Sequence, residues 1–322
     1  EDNGLGISTR TPRGWLEASF SSRQQIRYFP CNGLDVLETY QAAKTAEQYV
    51  RRTRRPALLH FRCVRLYGHA GADTPSAYLS REEIEHDEAR DPLLYTAARL
   101  RQANILGARQ LLDIYLETGE RLARIADEVV QRPKLASAAE VMSSLIPPRR
   151  LPTALAQMDE KRRQALFGRD IEEMQKPQHL ARQLSWAMAD LMLEHGQIIL
   201  AGEDIGPKGG VYNVTARLHE RFGPDRVINT LLDEQSILGL AIGLAHNGFL
   251  PIPEIQFLAY LHNAEDQLRG EAATLSFFSC GQYTNPMIVR IAGLGYQKGF
   301  GGHFHNDNSM AVLRDIPGLI IA

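Results

Sequence analysis

Residues 198–206 read Ile198-Ile199-Leu200-Ala201-Gly202-Glu203-Asp204-Ile205-Gly206, opening with four apolar residues in a row that end at a glycine. A run of that length bounded by a turn signal predicts a strand buried on both faces. Just upstream, Leu180, Leu184, Met188 and Leu191 fall on one helical face. Downstream, strands are expected at Arg226 to Asn229, Pro251 to Ile255, Met287 to Arg290 and Leu319 to Ala322. Helices are expected between them, at Val214 to Phe222, Gln235 to His246 and Tyr260 to Leu275. Strands and helices alternating in units this short predict an α/β fold, a parallel sheet with helices on both faces.

The first half carries a similar alternation. Leu34 to Arg52 reads as a helix and Ala57 to Val64 as a buried strand, followed by a loop from Gly68 to Pro75. Arg81 to Ala89 and Asp91 to Gln131 read as helical, and Ser80-Arg81-Glu82-Glu83 is a capping-box pattern. Between the halves, Pro147-Pro148, Pro152 and Pro177 accompany many charges and weak apolar periodicity. The expected organisation is a first domain over 1–131, a linker with some helix over 132–177, and a second domain over 178–322. There is no repeat and no low-complexity segment.

The 322 residues suffice for two domains, each with its own core, and 44% hydrophobic with 23% charged residues is a globular balance. A net charge of −2 gives no electrostatic case for nucleic acid or an anionic membrane surface. The clusters Arg51-Arg52-Thr53-Arg54-Arg55 and Arg149-Arg150 read as solvated helix ends. Cys31, Cys63 and Cys280 are odd in number and lack metal-ligand spacing, which argues against a disulfide framework. No apolar run approaches membrane-spanning length, so a reducing cytoplasm is the default expectation. The chain opens at Glu1 without an initiator Met, which is read as the truncated start of an interior piece.

Taken singly, the polar candidates are weak. Glu234 opens a helix, where the macrodipole alone favours a carboxylate. His69 lies in a glycine-containing loop after a buried strand, where ligands of parallel sheets gather, though a surface-loop histidine is the blander reading. His303 and His305, two apart with no third ligand, are poor evidence for zinc. Gly209-Gly210 and Gly293-Leu294-Gly295 are glycine turns, since a G-x-G-x-x-G fingerprint is absent.

Taken together, they resemble a family. The stretches Glu1-Asp2-Asn3-Gly4-Leu5-Gly6-Ile7-Ser8 and Val64-Arg65-Leu66-Tyr67-Gly68-His69, with Asp73, Tyr78 and Arg81-Glu82-Glu83-Ile84, resemble the α subunit of 2-oxo acid dehydrogenases. These are the thiamine-dependent, decarboxylating first components of the pyruvate and branched-chain complexes. The second half resembles the β subunit, through Gly202 to Gly206, Asn229-Thr230-Leu231-Leu232-Asp233-Glu234-Gln235, Glu254-Ile255-Gln256-Phe257, Asp266-Gln267 and Ile316-Pro317-Gly318. The matches keep the α-then-β order and leave out only the middle segment. The fold this implies is two thiamine-diphosphate-binding-type domains, each a parallel sheet with helices on both faces.

Roles carry over residue by residue. By resemblance, Asn3 is a side-chain ligand and Leu5 a backbone-carbonyl ligand of the magnesium that holds the cofactor diphosphate, and Ser8 joins the cofactor contacts. The family's first Asn is Asp2 here, and the Gly-Asp-Gly half of the motif would precede Glu1. His69 aligns with the loop histidine that contacts the cofactor and steers the acyl group; the loop lacks the family's phosphorylated serines, and the family's Tyr-Arg pair is Tyr78-Leu79. Glu234 aligns with the glutamate that gives a proton-bearing carboxyl to the aminopyrimidine ring, with Leu231, Leu232, Ile237 and Leu238 as expected apolar neighbours. Tyr260 aligns with the aromatic residue packed on that ring, and His305 with the histidine facing the substrate carboxylate, followed here by Asn306-Asp307-Asn308 instead of Ser-Gln-Ser. Met287 aligns with one carbonyl ligand of a potassium site.

The resemblance implies oxidative decarboxylation of a 2-oxo acid on thiamine diphosphate with magnesium, and acyl transfer to a lipoyl-bearing acyltransferase. It also implies an active site between domains, hence a homodimer or larger assembly. The motif from Glu254 to Tyr260 leans toward branched-chain substrates of the 2-oxoisovalerate type, with pyruvate or acetoin dehydrogenase components as the runner-up. A transketolase-like reaction ranks lower. A non-catalytic assembly paralogue is the alternative of another class, and the joint presence of Glu234, His69 and His305 argues against it.

Overall fold

In the computed structural model, which describes residues 2–145, 159–293, 302 and 305–322, the chain forms two units, Glu1–Pro133 and Lys134–Ala322. The first contains α1 (Trp15–Phe20), β1 (Arg27–Asn32), α2 (Val36–Thr53), β2 (Ala57–Arg62), α3 (Arg81–Glu88), α4 (Pro92–Gln102) and α5 (Ala108–Val130). β1 and β2 run parallel, from Arg27 opposite Ala57 to Asn32 opposite Arg62. The connection is α2, because parallel neighbours need a crossover. Asp2 extends this sheet by pairing in parallel with Arg62. α2 begins where the Asp35 carboxylate accepts the Leu37 and Glu38 N–H groups, and α3 begins in the expected capping box of Ser80 and Glu83.

Two expectations change here. The strand foreseen to Val64 ends at Arg62, and the helix foreseen from Asp91 to Gln131 breaks at 103–107, where Asn104 takes φ 53°. Burial in this unit is sparse, led by Cys31, Leu34, Asp35, Ala46 and His60. α5 buries nothing, and its Leu112, Tyr115, Leu116, Leu122 and Ile125 are exposed.

The second unit contains α6 (Ala138–Met142), α7 (Glu160–Phe167), α8 (Asp170–Met174), α9 (Leu180–Glu194), β3 (Ile198–Glu203), α10 (Leu218–Phe222), β4 (Val227–Thr230), α11 (Glu234–His246), β5 (Leu250–Ile255), α12 (Leu258–Leu261), α13 (Leu275–Phe278), β6 (Arg290–Ile291) and α14 (Ala311–Arg314). Its sheet is parallel throughout, in the order β4-β3-β5-β6. β3 is central and buried from Ile198 to Gly202, as its apolar run foretells. Ile198, Leu200 and Ile252 pack with Trp186, Met192, Leu218 and Val227 on one side of the sheet. Ile255 packs with Ile237, Leu238, Leu261 and Leu268 on the other. Phe167 of α7, within the stretch read as linker, joins the first of these clusters.

The sheet selects a face of α9 that keeps only Met188 of the four residues expected. Trp186, Met188, Ala189 and Met192 are buried, whereas Leu180, Leu184 and Leu191 are exposed. Both stripes are apolar, and periodicity does not say which one meets the sheet. The helix expected at Val214 to Phe222 shrinks to α10 after a 3-10 turn at Val211–Asn213. The one expected from Tyr260 to Leu275 divides into α12, a 3-10 turn at His262–Ala264 and a π-helical segment at Gln267–Ala273. The strand expected at Met287 to Arg290 is only Arg290–Ile291, and residues 319–322 form no strand. Pro147, Pro148, Pro152, Arg149, Arg150, Leu294, Gly295 and His303 lie outside the described residues. Among those described, no helix is long and apolar enough to cross a membrane.

Candidate active site

In the first unit, the site is built on the turn after Asp2. Main-chain bonds fix its start: Asp2 N–H donates to the Phe61 carbonyl at 2.8 Å and Cys63 N–H to the Asp2 carbonyl at 2.9 Å. Side chains then shape it, Asp2 Oδ1 accepting Gly4 N–H and Asn3 Oδ1 accepting Leu5 N–H, both at 2.9 Å. The chain doubles back through Thr11 N–H to the Gly4 carbonyl and Gly6 N–H to the Thr9 carbonyl, so Leu5 faces Arg10. In such a pair the central residue's own carbonyl points away from its partner. Asn3 is exposed, as is Ser8 in the following bend. The turn thus offers two neutral oxygens, the Asn3 amide and the Leu5 carbonyl. Hard oxygen donors of this kind fit magnesium, which takes the rest of its octahedral shell from water and phosphate.

Arg65 links this turn to the histidine loop, and sequence reading assigned it no role. Its guanidinium donates to the Gly6 carbonyl at 2.7 Å, the Ile7 carbonyl at 2.6 Å and Tyr78 Oη at 3.0 Å. Tyr78 O–H donates in turn to Asp73 Oδ2 at 2.8 Å, which also accepts His69 N–H at 2.6 Å. The His69 N–H bond, then the Tyr78 bond, hold the Asp73 carboxyl below the usual carboxylate range. Burial, and next its bond to Asp73, push the Tyr78 phenol up. Gly68 is required because a Cβ there would run into the Asp73 carbonyl oxygen. The His69 side chain is exposed at the loop.

In the second unit, Glu234 is the first residue of α11, directly after β4, at the carboxyl edge of the parallel sheet where ligands of such sheets bind. Asp233 caps the helix by accepting Ser236 N–H at 2.9 Å. Glu234 is only 9% exposed, and its Oε2 accepts from Asn263 Nδ2 at 2.5 Å. Gln235 Nε2 donates to the Asn263 carbonyl at 2.8 Å and fixes that partner. The expected apolar surround is corrected. Ile237 and Leu238 are core residues, but Leu231 is 88% and Leu232 57% exposed, because they sit in the loop before the helix. A second carboxylate, Glu203, ends β3 nearby. Burial raises its carboxyl, and the negative charges of Asp204 and Glu234 raise it further. Its place at the end of the central strand was the available signal.

Tyr260 and His305 do come together. Tyr260 Oη lies 3.4 Å from His305 Nε2, and both rings meet Phe257 edge-on, at 5.9 Å and 4.6 Å between centroids. The His305 loop is anchored by Asp307, which accepts Ser309 N–H at 2.9 Å and pairs with His262 at 3.2 Å. Phe257 also meets Tyr212 edge-on at 6.3 Å. The loop carrying Tyr212 is tied down where Glu254 accepts Val211 N–H at 3.2 Å. Glu254 is itself buried in an ion pair with Arg290, whose guanidinium burial pushes down to about 10. The candidate residues therefore form two groups, Asn3, Leu5, Ser8 and His69 in the first unit and Glu234, Tyr260 and His305 in the second.

Comparison with known proteins follows the same division. Residues 1–137 match the family model of the dehydrogenase E1 component, and residues 179–322 that of the transketolase pyrimidine-binding domain. The pyruvate dehydrogenase E1 component subunit beta of Staphylococcus epidermidis is 40% identical over 127 residues, 38% of this chain and 37% of that subunit. The 2-oxoisovalerate dehydrogenase subunit beta of Bacillus subtilis is 37% identical over 139 residues, 43% of this chain and 42% of that subunit. The chain thus spans less than half the length of these relatives. The crystal structure of a transketolase from Campylobacter jejuni covers 98% of this chain and 45% of its own, with a TM-score of 0.50 at 16% identity, a likeness of fold alone. A match to the dehydrogenase E1 component and a match to the transketolase pyrimidine-binding domain follow one another along the chain, and with the two beta-subunit relatives they support a thiamine-diphosphate-dependent 2-oxo acid dehydrogenase E1 component.

Proposed function

We propose that the protein carrying this chain decarboxylates a 2-oxo acid oxidatively and passes the acyl group to the lipoyl arm of a partner acyltransferase. The observation that carries this reading is the buried Glu234, held by Asn263 at the carboxyl edge of the parallel sheet. Thiamine diphosphate, when bound, would supply a thiazolium carbon nucleophilic once deprotonated and an electron sink for loss of carbon dioxide. Glu234 would offer its carboxyl to the aminopyrimidine nitrogen, and Asn263 fixes the carboxyl's orientation. Tyr260 packs its ring on the pyrimidine, while His305, oriented by Tyr260 and Phe257, faces the substrate carboxylate. Asn3 and Leu5 give oxygens to magnesium, Ser8 contacts the cofactor, and His69 moves a proton at the acyl-transfer end.

We place 2-oxoisovalerate first among substrates, on the motif from Glu254 to Tyr260. Pyruvate is the second reading, favoured by the 40% and 37% identities to subunits named for the two substrates. The apolar residues exposed on α5 and α9 support a homodimer or larger assembly, and the odd number of cysteines, without metal-ligand spacing, suits a reducing cytoplasm.

The test is Glu234→Gln in the full-length protein with cofactor and magnesium. Exchange of the thiazolium C–H with deuterium should slow by about 10²–10⁴-fold while cofactor stays bound, the usual scale for removing a positioned acid or base. A helix-start carboxylate with no catalytic role is worth only about 0.3–1 kcal/mol of stability. Unchanged exchange in a folded, cofactor-bound variant would favour the non-catalytic assembly paralogue instead.

A further inference from the structure

Asp2 stands where the family motif has an asparagine, and the structure shows what accommodates the added charge. Its Oδ1 accepts Gly4 N–H at 2.9 Å, and its Oδ2 lies 3.0 Å from His60 Nε2. His60 is 4% exposed and is the one buried residue of β2; its Nδ1 lies 2.5 Å from Tyr28 Oη on β1. An ionised carboxylate can only accept, so Nε2 carries a ring hydrogen, and in the neutral ring Nδ1 then accepts from the tyrosine. Donors then run one way, from Tyr28 to His60 to Asp2. The other Asp2 oxygen is left for the Gly4 amide, midway between Asn3 and Leu5.

We propose that His60 is a positioning residue for the cofactor's metal turn, fastening Asp2 to both strands of the sheet so that Asn3 and Leu5 present their oxygens in register. This rests on reading that turn as the magnesium–diphosphate site. Asp2 is otherwise held by main-chain bonds to Phe61 and Cys63, at the open edge of a two-stranded sheet. These bonds place the backbone, and Thr11 N–H holds the Gly4 carbonyl, but none of them fixes the carboxylate that accepts Gly4 N–H. A chain of side chains centred on the buried His60 fixes it. Partners that orient a metal shell typically contribute about 10–100-fold in metal affinity.

The experiment uses the full-length protein and measures calorimetric Kd for thiamine diphosphate with magnesium, KM for the cofactor, kcat at saturation and Tm. His60→Ala should raise Kd and KM about tenfold or more, with a much smaller change in kcat. His60→Gln, whose amide can still donate to Asp2, should recover most of that loss. So should His60→Ala combined with Asp2→Asn, which removes the uncompensated carboxylate; these two variants also serve if His60→Ala does not fold. Asn3→Ala is the control for the site itself. If Asn3→Ala weakens binding while His60→Ala lowers Tm alone and leaves Kd unchanged, the proposal falls and the metal turn stands. If neither substitution moves Kd, the metal turn falls and takes the proposal with it.

Discussion

Asp35 is buried at the start of α2, where it caps the helix and pairs with Arg99 of α4 through bonds of 3.0 Å from Nε and 2.5 Å from Nη2. The Arg99 bond, and then the capping N–H groups, hold its carboxyl below the usual range. The sign follows from linkage. A carboxyl whose folded value is depressed stabilises fully above its unfolded value, about 4, and that contribution drains away as pH falls through the lower folded value. The first unit should therefore lose stability between roughly pH 5 and its acid limit, and Asp35→Asn should flatten that slope while lowering stability at pH 7. Urea unfolding of the two proteins from pH 7 to pH 3 measures both effects. An identical pH slope in Asp35→Asn would show that the pair carries none of it. At this scale, the sequence reading singled out Glu234 and His305 through their motifs. It missed Asn263, Arg65 and His60, whose partners lie 29, 59 and 58 positions away in the chain and have no local signature.

Elements are joined as much by such long-range pairs as by their apolar faces. Glu254 at the end of β5 pairs with Arg290 at the start of β6, both nearly enclosed, and accepts Val211 N–H from the loop that follows β3. Gly210, at φ 70°, lets that loop approach, because a Cβ there would meet Thr215 Oγ1 at 2.7 Å and the Glu254 carboxylate at 3.2 Å. Glu254→Gln leaves a buried guanidinium without its counter-charge and should cost about 3–5 kcal/mol of unfolding free energy. Glu254→Leu with Arg290→Met should recover a large part of that loss, since neither charge remains buried alone. Denaturant midpoints of the single and double variants decide it, and additive losses would deny the coupling. β3 was legible because a strand buried on both faces is uniformly apolar. α9 was legible as a helix but not in its orientation, because it carries two apolar stripes and only the sheet chooses between them. The break after Tyr260 was not legible, since the π-helical Gln267–Ala273 has helical composition and differs only in its hydrogen bonding.

For the whole molecule, the open choice is the substrate's side chain. Phe257, Tyr260, Tyr212 and His305, the last proposed to face the 2-oxo acid, form an aromatic group. Such a wall discriminates by contact area and volume rather than by hydrogen bonds. One or two extra methyl groups in an apolar pocket are worth only about 1–3 kcal/mol. The full-length protein should therefore prefer 2-oxoisovalerate to pyruvate in kcat/KM by about 10–200-fold, a graded rather than absolute preference. Phe257→Ala should erode it, because the wall recedes and the branched side chain loses its contacts, while the Glu234–Asn263 bond is untouched. Deuterium exchange should then stay near the parent rate, which separates a specificity change from loss of cofactor activation. Dye-coupled decarboxylation on both substrates, beside that exchange measurement, checks the two halves of the expectation. A clear preference for pyruvate in the parent protein would move the assignment to the pyruvate enzymes without disturbing Glu234, since the role proposed for that residue lies at the cofactor and not at the side chain.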